Sequence, residues 1–346
     1  MSPHAKLVST LSLLLGTTLT VSSNHWMMAW AGLEINTLAI IPLISKSHHP
    51  RAIEATTKYF LVQATASALV LFSSMINAWS TGQWDITHLT QQTPCLLLTV
   101  AIAMKLGLVP FHFWFPEVLQ GSSLTTALLL STLMKLPPFT ILLMTSHLLN
   151  PTLLTIMALT SVALGGWMGL NQTQARKILA FSSISHLGWM AIIIIYNPKL
   201  ALLTFYFYSM MTTTVFLTLN TTKTLKLSTA MTSWTKTPML NATLMLTLLS
   251  LAGLPPLTGF LPKWLIIQEL TKQEMSTAAT LIATLSLLSL FFYLRLAYYS
   301  TITLPPNSMN HTKQWHSSVS TNTLIAPLTS LSISLMPLSP MILTAI

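Results

Sequence analysis

Charge is what this chain has least of. Asp, Glu, Lys and Arg make up 6% of its 346 residues, where a soluble domain carries about 25%. A water-exposed surface built from so few charges would be left with large apolar patches, so a water-soluble globule is excluded. A single cysteine, Cys95, excludes an internal disulfide framework, an iron–sulfur cluster held by this chain alone and any Cys-based zinc site. There is no P-loop, no dinucleotide fingerprint following a strand and no serine nucleophile elbow. The 16 basic residues outnumber the 6 acidic ones and give a formal charge of +10. They are scattered singly between apolar runs, with no basic stripe to follow a phosphate backbone, so nucleic acid is not an expected partner.

What the chain has instead is apolar bulk. Hydrophobic residues reach 52%, with 19 Met and many Thr, so lipid is the natural solvent. Hydroxyls in such a bundle bond across helices or back to the backbone. A crossing takes roughly 20 apolar residues, and the runs between polar breaks predict an all-α integral membrane protein with about eleven transmembrane helices. These lie near 3–21, 25–45, 59–79, 94–119, 122–147, 151–170, 176–196, 199–220, 239–270, 276–299 and 323–345. The N-terminus reads as the first span and not as a cleaved leader. No connection is long enough for a second domain. The expected organisation is one transmembrane domain over 1–346, with a first repeat over about 1–148, an inverted second repeat over about 149–300 and a C-terminal loop and helix over about 301–346.

With that count, Lys6, Lys46, Arg51, Lys58, Arg176, Lys177, Lys223, Lys226, Lys236, Arg295 and Lys313 all fall on one side. Only Lys199 and Lys272 fall on the other. The positive-inside rule then places the N-terminus on the cytosol-equivalent side and the C-terminus opposite.

Two spans are too long for one straight crossing and carry matched prolines. Gly107-Leu108-Val109-Pro110 is followed by Pro116, and Gly253-Leu254-Pro255-Pro256 by Pro262, every matched position being offset by 146. Proline removes a backbone donor and clashes with the preceding turn, so both spans are expected to break near the membrane midplane. They are the fourth and the ninth spans, an odd offset of five, so the second copy runs in the opposite direction. Inverted repeats with broken helices are the architecture of secondary transporters.

Four ionisable residues lie well inside spans, away from any apparent helix end: Glu34, Lys105, Lys135 and Lys263. A charge at that depth costs about 2.5–3.5 kcal/mol on insertion scales, which marks these residues as functional candidates. At about 1.5 Å per residue, Glu34 lies roughly 14 Å and Lys105 roughly 16 Å into their spans, a depth at which they can pair. A lysine in low dielectric holds its proton less tightly, and a neighbouring carboxylate restores the hold, so a row of such groups is a switchable proton relay. The alternative is a set of fixed ion pairs that only pin helix register. One acid cannot neutralise three bases, which favours the relay. His186, midway along the seventh span, and His112, just after the first break, would extend a relay or satisfy a backbone carbonyl. Glu117 occupies the repeat position of Lys263 and reads as interfacial or as an inner gate. Glu54 and Lys58 form an i, i+4 pair at a helix entrance.

The run Ala103-Met104-Lys105-Leu106-Gly107-Leu108-Val109-Pro110-Phe111-His112-Phe113-Trp114-Phe115-Pro116-Glu117 resembles the broken-helix signature of the antiporter-like membrane subunits of respiratory complex I. So does Leu251-Ala252-Gly253-Leu254-Pro255-Pro256-Leu257-Thr258-Gly259-Phe260-Leu261-Pro262-Lys263, and the segment from His25 to Asn36 is similar to the span bearing that family's essential glutamate. The resemblance covers the whole chain and is of the vertebrate mitochondrial type. It implies two inverted five-helix repeats and a mitochondrial inner-membrane location. It also implies proton translocation coupled to NADH oxidation and quinone reduction in other subunits, with no cofactor on this chain.

By position, Glu34 matches the glutamate that pairs with the broken-helix lysine Lys105, Lys135 the bridging lysine of the next helix, and Lys263 the lysine of the second break. Implied partners are other membrane-arm subunits, both antiporter-like and small hydrophobic ones, and lipids such as cardiolipin. Relative to longer bacterial members, this chain lacks N-terminal helices. A stand-alone cation/proton antiporter and a structural spacer are the other readings. A shortage of midspan carboxylates counts against the antiporter, because hard cations prefer oxygen ligands.

Overall fold

The computed structural model describes residues 2–47, 49–89, 91–233, 237–301 and 322–338. His48, Lys236, Lys313 and the end of the last expected span lie outside them. Among the described residues there is no strand, only two isolated bridges, His25 with Asp85 and Gln174 with Lys226. The helices, in chain order, are α1 Pro3–Ser22, α2 Trp26–Ile44, α3 Pro50–Thr81, α4 Gln92–Leu106, α5 Trp114–Gly121, α6 Leu124–Ser131, α7 Leu136–Met144 and α8 Pro151–Gly169. They continue as α9 Ala175–Ile193, α10 Pro198–Thr222, α11 Leu227–Ser233, α12 Pro238–Ala252, α13 Phe260–Lys272, α14 Ser276–Thr301 and α15 Ile325–Ser334.

Among the described residues, seven helical stretches are long and apolar enough to cross a membrane: α1, α2, α3, the pair α6–α7, α8, α10 and α14 up to Tyr299. α4, α12 and α15 are apolar but shorter. Prolines open many of these helices. Pro3, Pro50, Pro198 and Pro238 stand in the first turn, where a missing N–H is no loss. Ser2, His49 and Asn197 cap the first three of these through their side chains. The third span starts at Pro50, earlier than the apolar run suggested, because this capped proline carries the helix through the polar stretch Arg51–Lys58. Serine and threonine hydroxyls donate mainly to carbonyls one turn back, as Thr99 does to Leu96 O at 2.8 Å and Thr247 to Leu244 O at 2.9 Å. That is how so hydroxyl-rich a chain satisfies its polar atoms in apolar surroundings.

The chain divides into two compact units, residues 1–161 and 162–346. In the first, α1 and α2 meet through facing glycines. A Cβ on Gly32 would lie 2.6 Å from Thr20 Cγ2 and 2.9 Å from Gly16 O, so only glycine allows this approach. The loops before α2 and after α3 join through Trp26 N to Trp84 O at 3.0 Å and Ile86 N to Asn24 O at 3.1 Å. At the opposite end of α3, Gly121 packs against the Arg51 backbone. In the second unit α9 is buried on nearly every side and packs against α10, α13 and α14. The turns flanking it pair through Ala175 N to Leu225 O at 3.0 Å and Leu227 N to Thr173 O at 3.1 Å.

Both proline-bearing spans are broken. α4 and α5 are separated at 107–113, and α12 and α13 at 253–259. The first half-helices stop in the same way. Gly107 (φ 78°) and Gly253 (φ 84°) are left-handed, a conformation that favours glycine. Leu108 N then bonds Ala103 O at 3.0 Å, and Leu254 N bonds Leu249 O at 3.4 Å. This is the Schellman stop, repeated at the 146-residue offset. Pro116 and Pro262 break nothing. Each is the third residue of the following half-helix, where its N–H would have had no intrahelical partner.

Candidate functional site

The three lysines expected to be far from any helix end are all at helix ends, and the breaks create those ends. Lys105 is the penultimate residue of α4, and Lys263 is in the first turn of α13. Lys135 closes a short 3-10 turn, Leu133–Lys135, between α6 and α7. The span restarts at Leu136, and Pro137 and Pro138 stand in the first turn of α7. Only Glu34 stands within an uninterrupted helix, α2.

In the first unit Lys105 and Lys135, 5% and 2% exposed, line one cavity with Asn36, Thr37, Tyr59, Gln63, Trp114 and Phe115 among others. Its free volume of about 20 Å³ admits about one water molecule. The Lys135 ammonium lies 4.6 Å from the centroid of the Phe115 ring, a cation–π contact. Lys105 Nζ is buried without a hydrogen-bond partner.

Glu34 is partly buried, its Oε2 likewise without a partner, and close enough for its charge to act on Lys105 and on Tyr59. The expected direct pair is not formed. The ion pairs of the described residues are Lys58 with Glu54 and with Glu117, and Lys272 with Glu269. Glu34 interacts through space and not by contact, because α2 presents Leu33, Asn36 and Thr37, not Glu34, to the cavity.

The carbonyls freed where α4 stops are taken by neutral donors. Trp114 Nε1 donates to Met104 O at 3.2 Å, and Gln63 Nε2 to Lys105 O at 3.5 Å. His112 is buried beside Phe113, 4.3 Å between ring centres, and neither ring nitrogen forms a hydrogen bond of good geometry. It is not among the residues lining the cavity. Glu117 is half exposed and bridged by Lys58 at 2.6 Å, with Glu54 on the same lysine at 2.5 Å. The pair at the helix entrance is therefore a triad that ties α3 to α5.

In the second unit Lys263 and His186 line one cavity with Trp189, Thr204, Tyr208, Leu251 and Gly259 among others, with about 30 Å³ of free volume. Lys263 Nζ donates to Ala252 O at 2.8 Å and lies 5.8 Å from the Trp189 ring centre. A cation at the carbonyl end of α12 also meets the negative end of the helix dipole. His186 and Tyr208 have ring centres 5.4 Å apart.

Sequence reasoning missed Tyr59, Gln63, Asn36 and Tyr208. Tyr59 and Gln63 were findable, since they are spaced i, i+4 in an apolar span and so share a helix face. Among the described residues no group of three or more His, Cys, Asp or Glu side chains is placed to hold a metal ion.

Residues 23–289 match the family described as NADH:quinone oxidoreductase/Mrp antiporter, transmembrane, and residues 290–343 match the NADH dehydrogenase subunit 2 C-terminus. NADH-ubiquinone oxidoreductase chain 2 of Struthio camelus is 80% identical over the full length of both chains. That of Gallus gallus is 75% identical over 99% of each. A chain of respiratory complex I from Thermus thermophilus shares the fold with a TM-score of 0.83 and 27% identity, over 97% of this chain and 80% of that one. A chain of the Mrp complex from a Dietzia species has the same fold at 17% identity, with a TM-score of 0.79 over 97% of this chain and 75% of that one.

Proposed function

This chain belongs to the NADH-ubiquinone oxidoreductase chain 2 family, within the wider NADH:quinone oxidoreductase/Mrp antiporter group, and from that premise we propose how it moves protons. It is an antiporter-like membrane-arm subunit of complex I, in company with other membrane subunits. NADH oxidation and ubiquinone reduction take place elsewhere in the complex. Proton movement here rests on Lys105 and Lys263 as carriers, Lys135 as the link between them, and Glu34 as the charge that tunes Lys105. His186 shares the cavity of Lys263 and extends the path there. His112, buried at the first break, is a secondary member.

The observation that carries this reading is the grouping of ionisable side chains around a small, mostly apolar cavity in each unit, Lys105 with Lys135 and Lys263 with His186. Charge in an apolar bundle is expensive, and here it is placed where backbone groups are already released from helical bonding. The matched glycine stops at Gly107 and Gly253 support an inverted pair of five-helix repeats, over about 1–148 and 149–300, in an eleven-span protein of the mitochondrial inner membrane. Basic loops then face the matrix with the N-terminus, and the C-terminus faces the intermembrane space. Neighbouring antiporter-like and small hydrophobic subunits and lipids such as cardiolipin cover the apolar flanks, where α1 exposes Leu7, Val8, Leu11, Leu14 and Leu15.

The test is proton translocation per electron in the assembled complex. Lys105→Met and Lys263→Met should each lower the ratio while NADH-to-quinone electron transfer persists. An unchanged ratio in both variants removes the relay.

A further inference from the structure

Two cavities adjoin on the surface of the second unit, and they differ in character. The first, of about 470 Å³, is lined by Lys226 and Arg295 with the polar side chains of Thr173, Gln174 and Ser228. The second, of about 660 Å³, is lined by Leu249 of α12 and by Phe291, Leu294 and Tyr298 of α14. Arg295 and Tyr299 belong to both, so the two form one groove with a cationic end and an apolar end. Both volumes suit a ligand and not a lone water.

The cationic end is held by its own bonds. Arg295 Nη1 donates to Leu170 O at 2.5 Å, and the guanidinium carbon lies 5.5 Å from the Tyr299 ring centre. That fixes the fork while using one of its five N–H donors. Lys226 is set beside Gln174 by the backbone bonds Ala175 N to Leu225 O and Leu227 N to Thr173 O. No acidic side chain is among the described residues lining either cavity. Two cations facing one space without a counter-charge repel each other, and an anion there removes that cost. The apolar end narrows the class of anion. Phe291, Leu294 and Tyr298 are exposed and form one stripe, i, i+3, i+7, along a helix apolar enough to cross a membrane. Arg295 stands roughly 9 Å from the end of that helix, within reach of the head-group layer.

We infer that this groove binds one anionic phospholipid, with its phosphate in the cavity of Lys226 and Arg295 and an acyl chain along the stripe from Phe291 to Tyr298. Basic pockets beside membrane helices hold such head groups. A free phosphate would use the cationic end alone, and a zwitterionic lipid brings a positive group that these two residues repel. The site gives a place and a head-group charge to the lipid contact proposed above. It stands on α14 crossing the membrane, and on neither the relay nor the side that the basic loops face.

The test uses the assembled complex in nanodiscs of phosphatidylcholine containing a small fraction of phosphatidylglycerol with a photoactivatable diazirine on its acyl chain. After illumination, mass spectrometry of the peptides should place adducts on α14 between Phe291 and Tyr298. The same probe with a phosphatidylcholine head should label at least ~5-fold less, the worth of one basic residue at an anionic head group. Excess unlabelled phosphatidylglycerol should compete, and inorganic phosphate should not. Lys226→Gln and Arg295→Gln should each lower the anionic labelling by ~5-fold, while Lys177→Gln, at a position lining neither cavity, should leave it unchanged. Lys226 is exposed, so Lys226→Gln decides the matter if Arg295→Gln does not assemble. Equal labelling by the two heads, or an equal loss in Lys177→Gln and Lys226→Gln, overturns the site and leaves a general lipid contact standing. Displacement by inorganic phosphate makes it a phosphate site and overturns the lipid. Absence of labelling by either probe overturns both the site and lipid contact at this face, and protein density over the groove in a map of the same sample would assign the face to a neighbouring subunit. The relay is untouched by any of these results.

Discussion

The two broken helices solve one problem with different chemistry. Each first half ends in a glycine Schellman stop that leaves carbonyls without helical partners. At the first break Trp114 and Gln63 take those carbonyls, and the Lys105 ammonium makes no hydrogen bond. At the second break the lysine itself does the capping, with Lys263 Nζ on Ala252 O. The matched positions explain the difference. At the 146-residue offset Lys105 faces Leu251 and Lys263 faces Glu117, so the two lysines are not equivalent residues of the repeat. They approach the same kind of helix end from opposite sides of the break. On the proposed relay, a proton leaving Lys105 disturbs no backbone bond, whereas one leaving Lys263 weakens a cap.

The largest expected effect that breaks this contrast comes from Gly259, the residue before α13. A Cβ there would fall on the Ser250 carbonyl oxygen at 1.7 Å, which no rotamer relieves. Gly259→Ala should block assembly of the complex or lower its melting temperature sharply. At the matched position of the first break stands Phe113, 64% exposed, and Phe113→Ala should assemble normally. Blue-native electrophoresis of the two variants checks both. Equal tolerance would mean that the second break relaxes as easily as the first.

Next in size is the asymmetry between lysine substitutions. Lys263→Met leaves Ala252 O without its donor and should cost about 1–3 kcal/mol of stability in addition to pumping. Lys105→Met removes a buried charge with no hydrogen-bond partner, so stability should be unchanged or higher, while pumping still falls. Thermal unfolding of the complex together with protons per electron reads both arms. Equal destabilisation by the two would erase the distinction between free and capping lysine.

Much of this was legible in the sequence, and particular residues mark where legibility ended. The breaks were legible from their prolines, but the stops themselves are made by Gly107 and Gly253, whose positive φ favours glycine. Pro116 and Pro262 were read as further interruptions, yet each opens a half-helix, since a proline string alone does not tell which side of a break it serves. Depth along a span brought Glu34 and Lys105 level, but depth carries no angular information. Asn36 and Thr37 turn toward the cavity while Glu34 does not. Gln63 and Trp114 acquire a role only once α4 ends beside them. That role comes from orphaned carbonyls, which composition and hydropathy do not register.

The smallest effects come from the neutral donors that keep Lys105 free. Trp114 Nε1 bonds Met104 O at 3.2 Å, and Gln63 Nε2 reaches Lys105 O at 3.5 Å, the limit of a useful bond. Trp114→Phe keeps the ring packing against Tyr59 and drops one bond, which should cost about 1 kcal/mol. Gln63→Leu should cost less, at most about 0.5 kcal/mol, and neither substitution removes a charge. If these donors matter by sparing the lysine, their loss lets the Lys105 ammonium turn to its own helix end, as Lys263 already does at the second break. Gln63→Leu should then slow pumping by more than its small stability cost implies, and the double variant Trp114→Phe with Gln63→Leu should slow it further. A loss of pumping that tracks stability alone would instead make the two donors ordinary caps, and the difference between the breaks one of packing and not of proton availability.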